Sequence, residues 1–111
     1  METGEDAGQH LLTLDPRPTA VFAVNDNTAI GVLAAVQRAG LQVPTDLSVV
    51  GYNDIPLAAR LPVPLTTVRV PFTAIAAAAV DQLIDLIAGA PAETRILAPT
   101  LIPRHTTERA A

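Results

Sequence analysis

The stretch Pro18–Asp54, PTAVFAVNDNTAIGVLAAVQRAGLQVPTDLSVVGYND, reads as one complete strand, helix, strand unit. Its first apolar run, Ala20 to Val24, stops at Asn25 and Asp26, and its second, Leu47 to Gly51, stops after Tyr52 at Asn53 and Asp54. The first run holds no polar residue, which suits a parallel, central strand covered on both faces. Between the runs, Asn27 to Ala39 has helical spacing, closed by Gly40 and open to capping by an Asn or Asp at its start. Parallel strands joined by a helix end on one edge of the sheet, and open sheets of this kind bind ligands in the crevice beyond that edge. Two Asn/Asp pairs are therefore expected to face one crevice. Their amides and carboxylates offer directed donors and acceptors to a hydrogen-bonding small molecule. The plainer alternatives are a helix cap for Asn25 and Asp26 and a turn for Asn53 and Asp54.

Within the helix, Ala29, Val32, Leu33, Val36 and Ala39 form the face expected to lie on the sheet, and Ile30 and Ala34 extend the apolar surface sideways. Only Gln37 and Arg38 are long and polar. A helix so poor in polar surface is either sunk in a core or pressed against a second chain.

Working outward, Gly4 to Leu14 has helical spacing and is ended by Asp15, Pro16 and Pro18. Ser48, the sole serine, sits in mid-strand and is expected to be a buried hydroxyl bonded to backbone. Ile55 to Leu61 suits a turn or two of helix with Pro56 at its start, and Leu65 to Val70 a short third strand. Phe72 to Ala88 is a second strong helix, closed by Gly89. Arg95 to Leu97 and Thr100 to Ile102 read as edge strands or one bulged strand, and the tail from Thr106 is expected to fray.

Composition narrows the function classes. The chain has 111 residues, half of them apolar, and a net charge of −4. All its basic residues are arginines spread singly, so there is no basic face of the kind nucleic acid demands. There is no cysteine, hence no disulfide and no thiolate chemistry. No apolar run reaches membrane-spanning length, and the amino terminus carries acids where a secretory signal carries bases, so a cytoplasmic protein is expected. The inventory for catalysis is poor: no lysine, one buried serine, and histidines only at His10 and His105 near opposite ends. An acid/base pair of Asp26 and Asp54 is the one enzyme reading available, and nothing identifiable raises either pKa. No enzyme, cofactor or metal site is expected.

Four ordered signatures, PTAVFAVND, GLQVPTDLSVVGYND, PLTTVR and a closing LIPRHTT, together resemble the carboxy-terminal part of the effector-binding domain in the lactose repressor and galactose repressor family of bacterial transcription regulators. The resemblance covers roughly Gly4 to Thr107. It implies an α/β fold, a parallel sheet with flanking helices, forming part of a periplasmic-binding-protein-like domain with two lobes around a cleft. Residues 4–67 would belong to the second lobe. Residues 68–111 would supply a crossover strand, a first-lobe-type helix and return strands, and the DNA-binding head would be absent.

The implied function is binding of a small-molecule effector, such as a sugar or related metabolite, together with homodimer formation. Operator DNA would be reached only through the missing head, and no membrane is involved. The alternative with the same architecture is the sugar-binding component of an uptake system. By the resemblance, Asn25 and Asn53 stand at ligand-bonding positions, with Asp26 and Asp54 beside them. Many relatives carry aspartate where Asn53 stands and glutamine where Val70 stands, and Phe72 matches an apolar cleft position. Ile30, Leu33, Ala34, Leu57 and Leu61 resemble the surface through which these regulators dimerise.

Overall fold

The computed structural model describes residues 1–110. Its elements are α1 (Glu2–Leu12), β1 (Ala20–Phe22), α2 (Asp26–Arg38), β2 (Ser48–Val50), a 3-10 turn (Pro56–Arg60), β3 (Thr67–Arg69), α3 (Phe72–Ile87) and β4 (Thr100–Ile102). The chain forms two compact units. One is Met1–Arg69 with the return segment from Leu101 onward, and the other is Val70–Thr100.

In the first unit β1 and β2 pair in parallel, Ala20 opposite Ser48 and Phe22 opposite Val50. Past β2, single parallel bridges Val50–Thr66 and Asn53–Arg69 continue the ladder toward β3, which pairs with β4. The core lies between this sheet and α2. Ala23, Ala29, Val32, Val36, Leu47, Val49, Ala58 and Leu65 are buried together there. Burial of such side chains is the main favourable term in folding, about 1.5–3 kcal/mol for each large one.

On α2 the buried set is Ala29, Gly31, Val32, Ala35 and Val36 with Asp26, and Ala39 is exposed. The expected sheet face therefore held at Ala29, Val32 and Val36 and failed at Ala39. Gly31 and Ala35 are buried by α1 instead. A Cβ at Gly31 would fall 2.1 Å from the Met1 carbonyl oxygen, and one at Gly4 would fall 2.0 Å from that of Thr28. Missing side chains on both helices let their backbones approach closely. The apolar flank of α2 is thus partly covered from within the chain.

Two further expectations are corrected. β1 pairs with β2 alone among the described residues, and Phe22 and the following Val24 are 67% and 76% exposed. An unbroken apolar run marks a strand suited to cover on both faces without naming what supplies the cover. The tail is not frayed at Thr106, which is fully buried. Its Oγ1 donates to the Val49 carbonyl (2.6 Å) and accepts from the Thr66 N–H (2.9 Å), and the Val49 N–H donates to the Thr106 carbonyl (2.8 Å). The tail therefore occupies the ladder position beside β2 that precedes β3. Ser48 is half-buried, and its hydroxyl meets the Glu108 backbone.

In the second unit α3 has no buried residue, and Phe72, Ile75, Val80, Leu83, Ile84, Leu86 and Ile87 are all exposed. The segment Arg95 to Leu97 forms no strand, so of the two expected edge strands only β4 is present.

Candidate functional site

Because β1 and β2 run in parallel, Asn25 and Asn53 emerge at the same edge of the sheet. The two chain ends are tied there by the Asp26 N–H, which donates to the Tyr52 carbonyl (3.0 Å). Asn25 is the N-cap of α2: its Oδ1 accepts from the Thr28 N–H at 2.8 Å. Capping uses only the oxygen, and the side-chain NH2 makes no hydrogen bond to the described residues.

Asp26 lies at the first turn of α2 and is completely buried. Its Oδ2 accepts from the Ile55 N–H (2.8 Å) and its Oδ1 from the Thr67 hydroxyl (2.6 Å). One carboxylate thereby joins the end of β1, the turn after β2 and the start of β3. Each oxygen accepts one bond from within the chain, so Asp26 acts here as a structural tie. The partial positive charge at the start of α2 favours an anion at this position. Gly51 makes room for it, since a Cβ there would sit 2.2 Å from Asp26 Oδ1.

Asn53 and Asp54 both have positive φ, 111° and 59°. Such conformations cost a non-glycine residue about 1–3 kcal/mol and persist where the surroundings over-determine them. The Asn53 N–H donates to the Val68 carbonyl (2.8 Å), and the Ile55 N–H is held by Asp26. Between these anchors, Asp54 points into an ion triad. Its Oδ1 lies 2.7 Å from Arg104 Nη1 and its Oδ2 2.8 Å from Arg69 Nε, with the Asp54 side chain only 8% exposed. Burial acts on this carboxyl as the largest single influence and raises its pKa. The hydrogen bonds and charges of Arg104 and Arg69 together outweigh it and hold the pKa below the ordinary aspartate value. Asp54, like Asp26, is committed within the chain. The half-buried Asn53 side chain makes no hydrogen bond to the described residues.

Val70 and Phe72 belong to the second unit, where Phe72 opens α3 and is 58% exposed. Ile30, Leu33, Ala34 and Leu61 line one groove of about 510 Å³ in the first unit, together with Leu41, Val43, Pro62 and Val63. Leu57 does not line it, and is 44% exposed on the 3-10 turn. Among the described residues, no group of three or more His, Asp or Glu is placed to hold a metal ion. No helix of these residues is long and apolar enough to cross a membrane.

The family described as "Periplasmic binding protein-like domain" matches residues 1–107. The lactose operon repressor of Rhizobium radiobacter is 44% identical over 99 residues, covering 89% of this chain and 88% of that protein. This chain belongs to the lactose repressor/galactose repressor family. Its relatives are repressors and regulators of transcription, not enzymes. The ribose operon repressor of Haemophilus influenzae is 43% identical over 101 residues, which span 88% of this chain but only 30% of that relative. Against solved structures, a regulator of this family from Lactobacillus casei with bound sucrose superposes with a TM-score of 0.83 at 34% identity, over 96% of this chain and 40% of that one. A dimeric lac repressor with a C-terminal deletion gives a TM-score of 0.88 at 33% identity, again over 96% and 40%. The lactose repressor/galactose repressor family fold thus accounts for the α/β arrangement, and this chain corresponds to a part of its effector-binding domain.

The residues that sequence reasoning missed are Arg104, Thr66, Thr67 and Thr106. The threonines stand in the signatures PLTT and RHTT, a repeated Thr-Thr that was the available signal for two segments bonded side by side.

Proposed function

We propose that this chain takes a small polyhydroxylated effector, a sugar or a related metabolite, at the sheet edge carrying Asn25 and Asn53, within a cytoplasmic regulator of transcription. The observation that carries the reading is the division of labour in the two Asn/Asp pairs. Each aspartate is bonded inside the chain, and each asparagine, at the same sheet edge, keeps amide atoms without a partner among the described residues. Free amide donors and acceptors on a rigid edge are what a hydroxyl-rich ligand needs. The Lactobacillus casei relative with bound sucrose supports a sugar as the ligand class. Val70 and Phe72, in the second unit, rest on the family resemblance alone. An effector of this kind acts by favouring one arrangement of the whole regulator over another, in proportion to its differential affinity. Contact with operator DNA is assigned to no residue of this chain.

The groove of Ile30, Leu33, Ala34 and Leu61, with Leu57 nearby, is the surface proposed for pairing with a second copy. Sedimentation of Ala34→Glu checks this: the wild-type chain is expected as a dimer and the variant as a monomer. The effector reading is tested by calorimetric titration with glucose, ribose, lactose and sucrose. At least one is expected to bind, and Asn53→Gly to weaken it by about 1–3 kcal/mol. Glycine accepts the positive φ, so the loss reports the amide; unchanged affinity in the folded variant rejects the reading.

A further inference from the structure

The left-handed pair Asn53 and Asp54 is held at one end by the backbone pairing of Asn53 with β3, at the other by the Ile55 N–H on the Asp26 carboxylate, and between them by the ion pairs of the Asp54 side chain. The two arginines that grip this carboxylate are not equivalent. Arg69 is 57% exposed and reaches it through Nε, a pair open to water and salt. Arg104 is 15% exposed, bonds Asp54 Oδ1 at 2.7 Å, and gives the same Nη1 to the Leu65 carbonyl at 3.0 Å. Its main chain is also fixed, because its N–H donates to Thr66 Oγ1 at 2.9 Å. An enclosed guanidinium anchored at both ends is a rigid clamp, and the carboxylate it clamps belongs to the residue following Asn53.

We propose that Arg104 is a positioning residue for effector recognition: by holding Asp54 it fixes the left-handed turn from which Asn53 presents its amide. The functional half of this inference rests on the reading of Asn53 as an effector contact. The conformational half stands on the geometry of the triad. Arg104 enters from the return segment, so the turn after β2 is shaped by a residue some fifty positions later in the chain.

The test is amide hydrogen exchange, residue by residue, on the labelled 111-residue chain and its Arg104→Met and Arg104→Lys variants. The Asn53 and Ile55 amides are expected to exchange roughly tenfold or more faster in Arg104→Met, while the Ala23 amide, bonded to the Val50 carbonyl, keeps its protection. Arg104→Lys, which keeps the positive charge on a shorter, more flexible side chain, gives a smaller change in the same two amides and is the variant to read if Arg104→Met does not fold. Unchanged protection at Asn53, or acceleration at Ala23 in step with it, overturns the proposal, because a merely structural role loosens the whole unit. In the second arm the sugar titration is repeated for Arg104→Lys, Asn53→Gly and the double variant. Arg104→Lys is expected to weaken binding in the parent but not in the Asn53→Gly background, and equal weakening in both overturns the effector half. If none of the four sugars binds the parent chain, the effector reading and that half fall together, and the exchange data still decide whether Arg104 shapes the turn.

Discussion

The pairs Asn25–Asp26 and Asn53–Asp54 are the same dipeptide at the ends of neighbouring parallel strands, yet the fold uses them through different physics. In the first, the asparagine is extended, caps a helix, and is followed by a fully buried carboxylate that holds neutral donors, a backbone N–H and a hydroxyl. In the second, both residues are left-handed and the carboxylate holds two guanidinium groups. A buried anion at a helix start can be satisfied by dipoles, whereas one on a loop at the sheet edge is balanced here by full positive charges. In both pairs the aspartate faces inward and builds, and the asparagine is left with amide atoms to spend outward.

The contrast breaks first at Asp26. Asp26→Ala leaves the Ile55 N–H and the Thr67 hydroxyl buried without their acceptor, and is expected to cost about 3–5 kcal/mol in urea unfolding. A loss below about 1 kcal/mol would mean that the β1, β2 and β3 ends hold together without this tie. Gly51→Ala presses the new Cβ against the same carboxylate and should cost about 1–3 kcal/mol by the same measurement.

The second pair answers to pH. Because the folded pKa of Asp54 lies below its unfolded value, its contribution is present in full above the ordinary aspartate pKa of about 3.9 and is lost as pH falls through the lower folded value. Unfolding midpoints of the wild-type chain should therefore drop as pH falls below the ordinary aspartate range, and Asp54→Asn should lower stability at pH 7 while flattening that acid limb. An acid limb of equal depth in the variant would assign the sensitivity elsewhere.

Smaller effects sharpen the comparison between caps and surface pairs. Asn25→Ala removes the cap bond to Thr28 and is expected to lower stability by about 1 kcal/mol in thermal or urea unfolding. Arg69→Gln, which removes the exposed arm of the triad, should change stability by less than about 1 kcal/mol. A larger loss than that would make Arg69 an equal of Arg104.

Much of this architecture was legible in the residues. The strand, helix, strand unit, the helix over Phe72–Ile87 and its closing Gly89 follow from local periodicity and from residues with strong backbone preferences. What could not be read was any tie between distant segments. Asp26 meets Thr67, Asp54 meets Arg104, and Thr106 meets Val49, and no local pattern announces such partners. The same limit explains the two misjudged surfaces. Apolar spacing showed that β1 and α2 seek cover, but only the glycines of α1 and α2 in their folded positions reveal that α1 supplies part of it. For the candidate site, residue type pointed to the sheet edge, while the division between building aspartates and free asparagines required coordinates.

The return segment has a consequence for how the chain comes to be folded at all. Residues 104–108 fill a ladder position beside β2 and clamp Asp54, yet they are synthesised after the whole of the second unit. During translation the first unit waits, its β2 flank open, until residues 104–108 leave the ribosome. Pairings across such long stretches form slowly and leave strand edges bare in the meantime. A nascent chain halted within α3 would thus expose an unfinished sheet, with the Val49 N–H and carbonyl open until Thr106 arrives.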